Sequence, residues 1–222
     1  MARRSYEQLC PLAYSLDLVG ERWTLLVVRD LADGPKRYTD LSRGLPGLAT
    51  DLLTERLRRL EAAGAVRRRQ LPPPAAATVY ELTERGRELV PAVLALARFG
   101  VDLIAADPDP PSPNPDHFGL LLRALFDAAH APADPETWVF ESGGGRFAVT
   151  VGPNRLEVEP VEEAPADAAG RFLADVPTLL AWALGRLDTD AALADGRLRV
   201  QGDDDLLARM RAAFPAPEPA YA

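Results

Sequence analysis

The chain has one cysteine, Cys10, and two histidines, His117 and His130. A single thiol excludes an internal disulfide and any zinc site built from cysteines. Helical spacing sets the two histidines about 220° apart, so they do not share a metal ion. No apolar run approaches the roughly 20 residues needed to cross a bilayer. The stretch Arg3-Arg4-Ser5-Tyr6-Glu7-Gln8 has no apolar signal region. These absences predict a cytoplasmic protein with no membrane partner, and scarce cysteine fits a reducing compartment. Catalytic signatures are missing too. Glu141-Ser142-Gly143-Gly144-Gly145 lacks the glycine two residues before the serine that a nucleophile elbow requires, and it reads as a hairpin turn. Asp203-Asp204-Asp205 reads as carboxylates at the positive end of a helix. The expectation is no enzyme, no metal and no cofactor.

What the chain does have is an uneven charge. Its 222 residues carry a net charge of −8, with 16 basic against 13 acidic residues in 1–106 and 9 against 20 in 107–222. A polyanion responds to the local field within about 8 Å, so the first half tolerates nucleic acid and the second repels it. Between them, residues 107–115 place five prolines in nine positions, which blocks helix and ladder hydrogen bonds. This predicts domains at 1–106 and 116–214 joined by a Pro-rich linker, with residues 215–222 as a flexible tail.

The first half reads as helix, helix, turn, basic helix and hairpin, the order of a winged helix-turn-helix. Arg37-Tyr38-Thr39-Asp40-Leu41 leads into the Gly44-Leu45-Pro46-Gly47 turn. Leu53, Leu57 and Leu60 then recur at i, i+4 and i+7, which gives the next helix one apolar face and leaves the other free for bases and phosphates. The expected DNA contacts are Arg37, Thr39, Thr50, Asp51, Thr54, Glu55, Arg56, Arg58, Arg59 and, at the base of the wing, Arg69. A long amphipathic helix is predicted over Arg87–Ala106, opening after Thr83 as N-cap, with apolar residues at 89, 93, 96, 99 and 103. Trp23, beside Leu25, Leu26 and Val27, reads as core.

Together these residues resemble the HxlR family of winged helix-turn-helix transcriptional regulators, relatives of the MarR group. The resemblance rests on Cys10-Pro11, Asp17-Leu18-Val19-Gly20-Glu21-Arg22-Trp23-Thr24-Leu25-Leu26, Arg29-Asp30-Leu31, Tyr38-Thr39-Asp40-Leu41 and the run from Leu53 to Glu61. Tyr80-Glu81-Leu82-Thr83 and Gly86 complete it. It implies a homodimer on double-stranded DNA, with the N-terminal segment and the helix from Arg87 packing across the twofold axis. Two features depart from the family pattern. Ala49-Thr50-Asp51 stands where a small polar and a basic residue are usual, and the hairpin tip from Pro72 to Ala77 has no Lys or Arg. In some family members a cysteine near position 10 senses oxidants, which makes Cys10 a redox-sensing candidate, with a plain packed thiol as the alternative.

In the acidic half a helix is predicted over His117–Ala129, strands near 137–142, 145–151 and 154–159, a helix over Pro177–Leu187, a strand over Arg197–Gln201 and a helix over Asp203–Phe214. Its large apolar residues include Phe118, Leu122, Phe126, Trp138, Phe140, Phe147, Leu179 and Trp182. They suit the lining of an apolar pocket, and ordinary core packing explains the same set. The run from Leu179 to Leu187, with Ala191 to Val200 and Gly202-Asp203, resembles the sterol-carrier-protein type of α/β domain. That resemblance implies helices over a mostly antiparallel sheet with an apolar cavity between them, and lipids or other hydrophobes as ligands. The fold class expected is α+β. The function expected is an operator-binding homodimer with a hydrophobic small-molecule effector. The rivals are a lipid-binding protein whose winged helix serves dimerisation, and an enzyme using the C-terminal cavity.

Overall fold

A computed structural model describes residues 5–73, 76–107, 117–143 and 145–217. Arg3, Arg4, the hairpin tip at Pro74 and Ala75, most of the Pro-rich linker and the last five residues lie outside the described set. The chain forms two compact units, Met1–Val93 and Leu94–Ala222.

The first unit opens with helices α1 (Pro11–Val19) and α2 (Thr24–Ala32), a two-residue strand β1 (Lys36–Arg37), and helices α3 (Tyr38–Gly44) and α4 (Thr50–Ala62). Strands β2 (Val66–Gln70) and β3 (Thr78–Leu82) make the predicted hairpin, with Val66 opposite Leu82 and Gln70 opposite Thr78. β1 pairs antiparallel with the other side of β3. The short Lys36-Arg37 pair has no alternation of its own, so it was not legible as a strand. Leu53, Leu57 and Leu60 on α4 are buried with Val27, Val28, Leu31 and Leu41, as the i, i+4, i+7 spacing predicts. α4 stops in a Schellman turn: Gly64 takes φ +71°, its N–H donates to Glu61 O at 2.9 Å, and Ala65 N–H donates to Leu60 O at 2.9 Å. Trp23 is half-buried rather than core, because it opens α2 in a left-handed conformation with φ +79°.

The helix predicted from Arg87 is two helices, α5 (Glu84–Arg87) and α6 (Val90–Ala106). Thr83 caps α5 as expected: its Oγ1 accepts from Gly86 N at 3.1 Å and donates to Gly64 O at 2.6 Å. The division between the units falls inside α6.

In the second unit α7 (Phe118–Leu125) is followed by a 3₁₀ turn (Ala128–His130) and strands β4 (Glu136–Ser142), β5 (Gly145–Gly152), β6 (Arg155–Pro160) and β7 (Gly170–Leu173). Helices α8 (Val176–Ala183) and α9 (Thr189–Ala194), strand β8 (Arg199–Gly202) and helix α10 (Leu206–Ala213) complete it. The sheet order is β6-β5-β4-β7-β8, antiparallel except for β4 beside β7. α7 is shorter than predicted because Phe126 turns extended, and Asp127 then accepts from Ala129 N at 2.9 Å and faces His130 Nδ1 at 2.8 Å. Residues of α7, α8 and α10 share one buried cluster with Trp138, Phe140, Val149 and Phe172 of the sheet. Val101 of α6 belongs to the same cluster.

Gly86 has no room for a side chain: a Cβ there would lie 1.9 Å from the backbone oxygen of Ala65. That overlap is with main chain and cannot be relieved by a rotamer change. Gly86→Ala is expected to destabilise the fold by about 2–4 kcal/mol, read as a lower midpoint in urea unfolding. An unchanged midpoint would contradict the packing of α5 against the hairpin.

Candidate nucleic-acid interface and apolar core

The ten expected DNA contacts divide by the face of α4 they occupy. Arg56 sits i+3 from Leu53 and i−4 from Leu60, on the buried stripe, and is only 7% exposed. Its Nε donates to Arg22 O at 3.3 Å and its Nη2 to Glu21 Oε2 at 3.2 Å. Arg59, one turn on, donates from Nη2 to Asp17 O at 3.0 Å and lies 3.7 Å from Glu21 Oε1. Arg56 faces inward, Arg59 is half-buried, and together they tie α4 to the last turns of α1 and to the turn that follows it. A charge on an apolar stripe must find partners inside the fold, and Glu21 supplies one.

The outer face keeps Thr50, Asp51, Thr54 and Arg58, with Glu55 half-exposed. Arg58 is 68% exposed and grips Glu55 in a fork, with Nε and Nη2 donating at 3.0–3.1 Å. Thr54 Oγ1 donates to Thr50 O at 3.0 Å, and Tyr38 Oη donates to the same carbonyl at 2.9 Å. These bonds fix the first turn of α4 against the start of α3. Arg37 and Thr39 are exposed beside it, and Arg37 N donates to Asp40 Oδ2 at 3.2 Å.

Arg69 is exposed at the wing, but not free. Its Nε donates to Glu81 Oε2 at 2.9 Å, while Arg67 Nε donates to Glu81 Oε1 at 2.7 Å. Arg68 projects from the other side of β2, 3.1 Å from Glu61 and over the Tyr80 ring at 5.3 Å. Two guanidiniums thus share one carboxylate, which leaves the wing base net positive. The Arg67 guanidinium first, and Arg69 after it, hold the Glu81 carboxyl below its ordinary value.

Glu21 and Asp17 organise this site and were not among the expected contacts. Asp17 is buried, and its carboxylate accepts from Ser5 Oγ and Tyr6 N, each at 3.0 Å. Nothing local marks either residue, because their partners on α4 lie some 35 to 42 positions away. The one signal available was the position of Arg56 on the leucine stripe. Cys10 is half-buried at the N-cap of α1.

All eight expected ligand-lining residues come together in the second unit. Phe118, Leu122, Trp138, Phe140, Leu179 and Trp182 are buried, with Phe126 and Phe147 packed against them. The rings meet one another. Phe118 lies 5.3 Å from Phe140 edge-on, Phe140 stacks on Phe172 at 4.8 Å, and Phe172 is 5.5 Å from Trp182. Edge-to-face and offset contacts at these distances add cohesion beyond burial.

Residues 18–107 match the family described as HxlR-like helix-turn-helix, and residues 134–215 match the SCP-2 sterol transfer family. An uncharacterized HTH-type transcriptional regulator of Synechocystis sp. is 39% identical over 94 residues, covering 42% of this chain and 70% of that protein. The HTH-type transcriptional regulator YodB of Bacillus subtilis is 37% identical over 82 residues, covering 36% of this chain and 73% of YodB. The solved reduced form of YodB aligns over 46% of this chain and all of that one, at 34% identity and a TM-score of 0.38. The sequence matches and the winged domain define a transcriptional regulator of the helix-turn-helix type. The chain belongs to the HxlR-like family and carries an SCP-2 domain after its winged helix. Among the described residues no helix is long and apolar enough to cross a membrane.

The Glu81 fork has a pH signature. A carboxyl held below its ordinary 4.5 in the folded state contributes stability that is present above that value and is lost as pH falls through the lowered one. The stability difference between wild type and Glu81→Gln should therefore be full at neutral pH and shrink below about 4.5. Denaturant titrations at pH 7 and pH 3.5 measure it. An equal difference at both would show that the arginines do not stabilise the charged form.

Proposed function

We propose that the protein is a homodimeric regulator that takes operator DNA through α4 of each subunit and an apolar small molecule through its C-terminal domain. The observation that carries the DNA reading is the sidedness of α4. Its leucines and Arg56 face inward, and Thr50, Asp51, Thr54 and Arg58 face out beside Arg37 and Thr39. Hydroxyls and an arginine suit base edges and phosphates, and Asp51 or Glu55 can accept from cytosine N4. The wing arginines would add phosphate contacts at the flank.

Dimerisation has its own support. On α6, Leu96 (54% exposed), Phe99 (64%) and Leu103 (48%) form an apolar stripe at i, i+3 and i+7. In the N-terminal segment Leu9 is 99% exposed and Leu12 is exposed as well. Uncovered apolar surface of this kind is disfavoured in water and is typical of a contact between copies. Leu96→Glu should convert the dimer to monomers in sedimentation; a wild-type monomer at micromolar concentration would contradict the reading. The effector reading rests on the SCP-2 match. A ligand would alter operator affinity through unequal binding to the DNA-competent and incompetent states.

Footprinting of the full-length protein on DNA upstream of its own gene should show a protected, twofold-symmetric site. No protection at any salt would overturn the operator reading. Salt dependence then separates roles on α4, because each phosphate contact contributes about 0.9 to the log-log slope. Arg58→Ala should lower the slope by about that much. Arg56→Met should weaken binding with the slope unchanged, since its guanidinium faces Glu21 rather than solvent.

A further inference from the structure

The base of the wing forms a cleft of about 460 Å³. Its walls come from three elements: Arg67 of β2, Glu81 and Leu82 of β3, and Glu84, Arg85 and Arg87 of α5. That volume falls within the range of about 300–1,000 Å³ that small-molecule sites span. The apolar lining usual in such sites is missing, since Leu82 is the single large apolar side chain among the described lining residues. Walls made of charge suit a charged ligand. The cleft also lies away from the end of α4 proposed to read bases. Gly64 on its rim follows α4, whose 13 residues carry the chain about 20 Å from Thr50. Recognition helices present their first turns to base edges, so a small molecule fits this cleft better than the duplex does.

The charges on these walls do not cancel. Arg67 commits only its Nε, which donates to Glu81 Oε1 at 2.7 Å, and among the described residues its two terminal nitrogens have no acceptor. Glu81 is also claimed by Arg69 Nε at 2.9 Å, so it does not neutralise Arg67 alone. Among the described residues neither Arg85 nor Arg87 pairs with a carboxylate, whereas Arg56, Arg58 and Arg68 each do. With Arg69 counted through Glu81, four guanidiniums face the carboxylates of Glu81 and Glu84, a surplus of two positive charges. Two negative charges are what a phosphate monoester carries above neutral pH, and guanidinium donors match its oxygens in pairs. Glu84 is exposed and can accept from hydroxyls on the body of such a ligand.

We propose that this cleft binds a small hydroxylated phosphomonoester, of the sugar-phosphate class, with its phosphate between Arg67 of β2 and Arg85 and Arg87 of α5. A ligand so held ties α5, which leads into α6, to the wing hairpin. The winged domain then has an effector site of its own. The proposal depends neither on the operator reading nor on the apolar-effector reading above.

The test compares ribose 5-phosphate with ribose on the full-length protein at pH 8, in phosphate-free buffer and without DNA, by calorimetry. Wild type should bind ribose 5-phosphate at least about tenfold more tightly than ribose, a comparison that needs no variant. Changing Arg85→Met and Arg87→Met together should weaken ribose 5-phosphate at least about tenfold. Both side chains are exposed, so the thermal unfolding midpoint should stay at the wild-type value and separate lost binding from lost folding. Arg58→Ala, on the outward face of α4, should leave the ribose 5-phosphate affinity within about twofold. Equal affinities for the two probes, binding of neither, or binding that survives the paired Arg85 and Arg87 changes would overturn the proposal. Loss of binding in Arg58→Ala would assign the phosphate to the outward face of α4 and overturn it as well.

Discussion

The winged domain depends on the Glu21 carboxylate, which accepts from Arg56 at 3.2 Å and lies 3.7 Å from Arg59. Both arginines belong to α4, whose leucines pack in the core, and the ion pairs add a directional tie to the chain around Glu21. Removing Glu21 would leave a buried guanidinium with only the Arg22 carbonyl, at a cost of about 1–3 kcal/mol. Asp17 extends the same arrangement, since its carbonyl holds Arg59 while its carboxylate holds Ser5 and Tyr6. The outward face of α4 is therefore oriented by charges on its inward face.

The C-terminal domain solves its packing problem differently. Its sheet and helices meet through rings, from Phe118 through Phe140 and Phe172 to Trp182, with few charges inside. The indole N–H groups of this core meet neighbours: Trp138 Nε1 donates to Glu136 at 2.9 Å and Trp182 Nε1 to Thr189.

Much of this was legible in the sequence because it is local and periodic. The spacing of Leu53, Leu57 and Leu60 marked the core face of α4, Thr83 marked a cap, and the alternation from Glu136 to Pro160 marked three strands. The two family resemblances carried the domain identities. β7 was missed, being four residues long and paired in parallel with a strand about 30 residues earlier. α9 was missed for a related reason, since six residues cannot show a helical period. The arginines were harder to read. A cluster of Arg56, Arg58 and Arg59 looks uniformly basic, yet Arg56 and Arg59 face Glu21 while Arg58 faces out. Arg56 shares the leucine stripe, and its partner Glu21 is 35 residues away. Charge composition identified the half of the chain suited to a polyanion, but only the fold separates arginines that anchor α4 from those that face outward.

The most direct measurement is a double-mutant cycle on unfolding free energy with Glu21→Gln, Arg56→Met and the pair together. If Glu21 holds α4 through Arg56, the two changes are strongly non-additive, with a coupling of about 1–3 kcal/mol. Additivity within about 0.3–0.5 kcal/mol would mean that the two residues do not act on each other, and that the leucine stripe alone positions the helix.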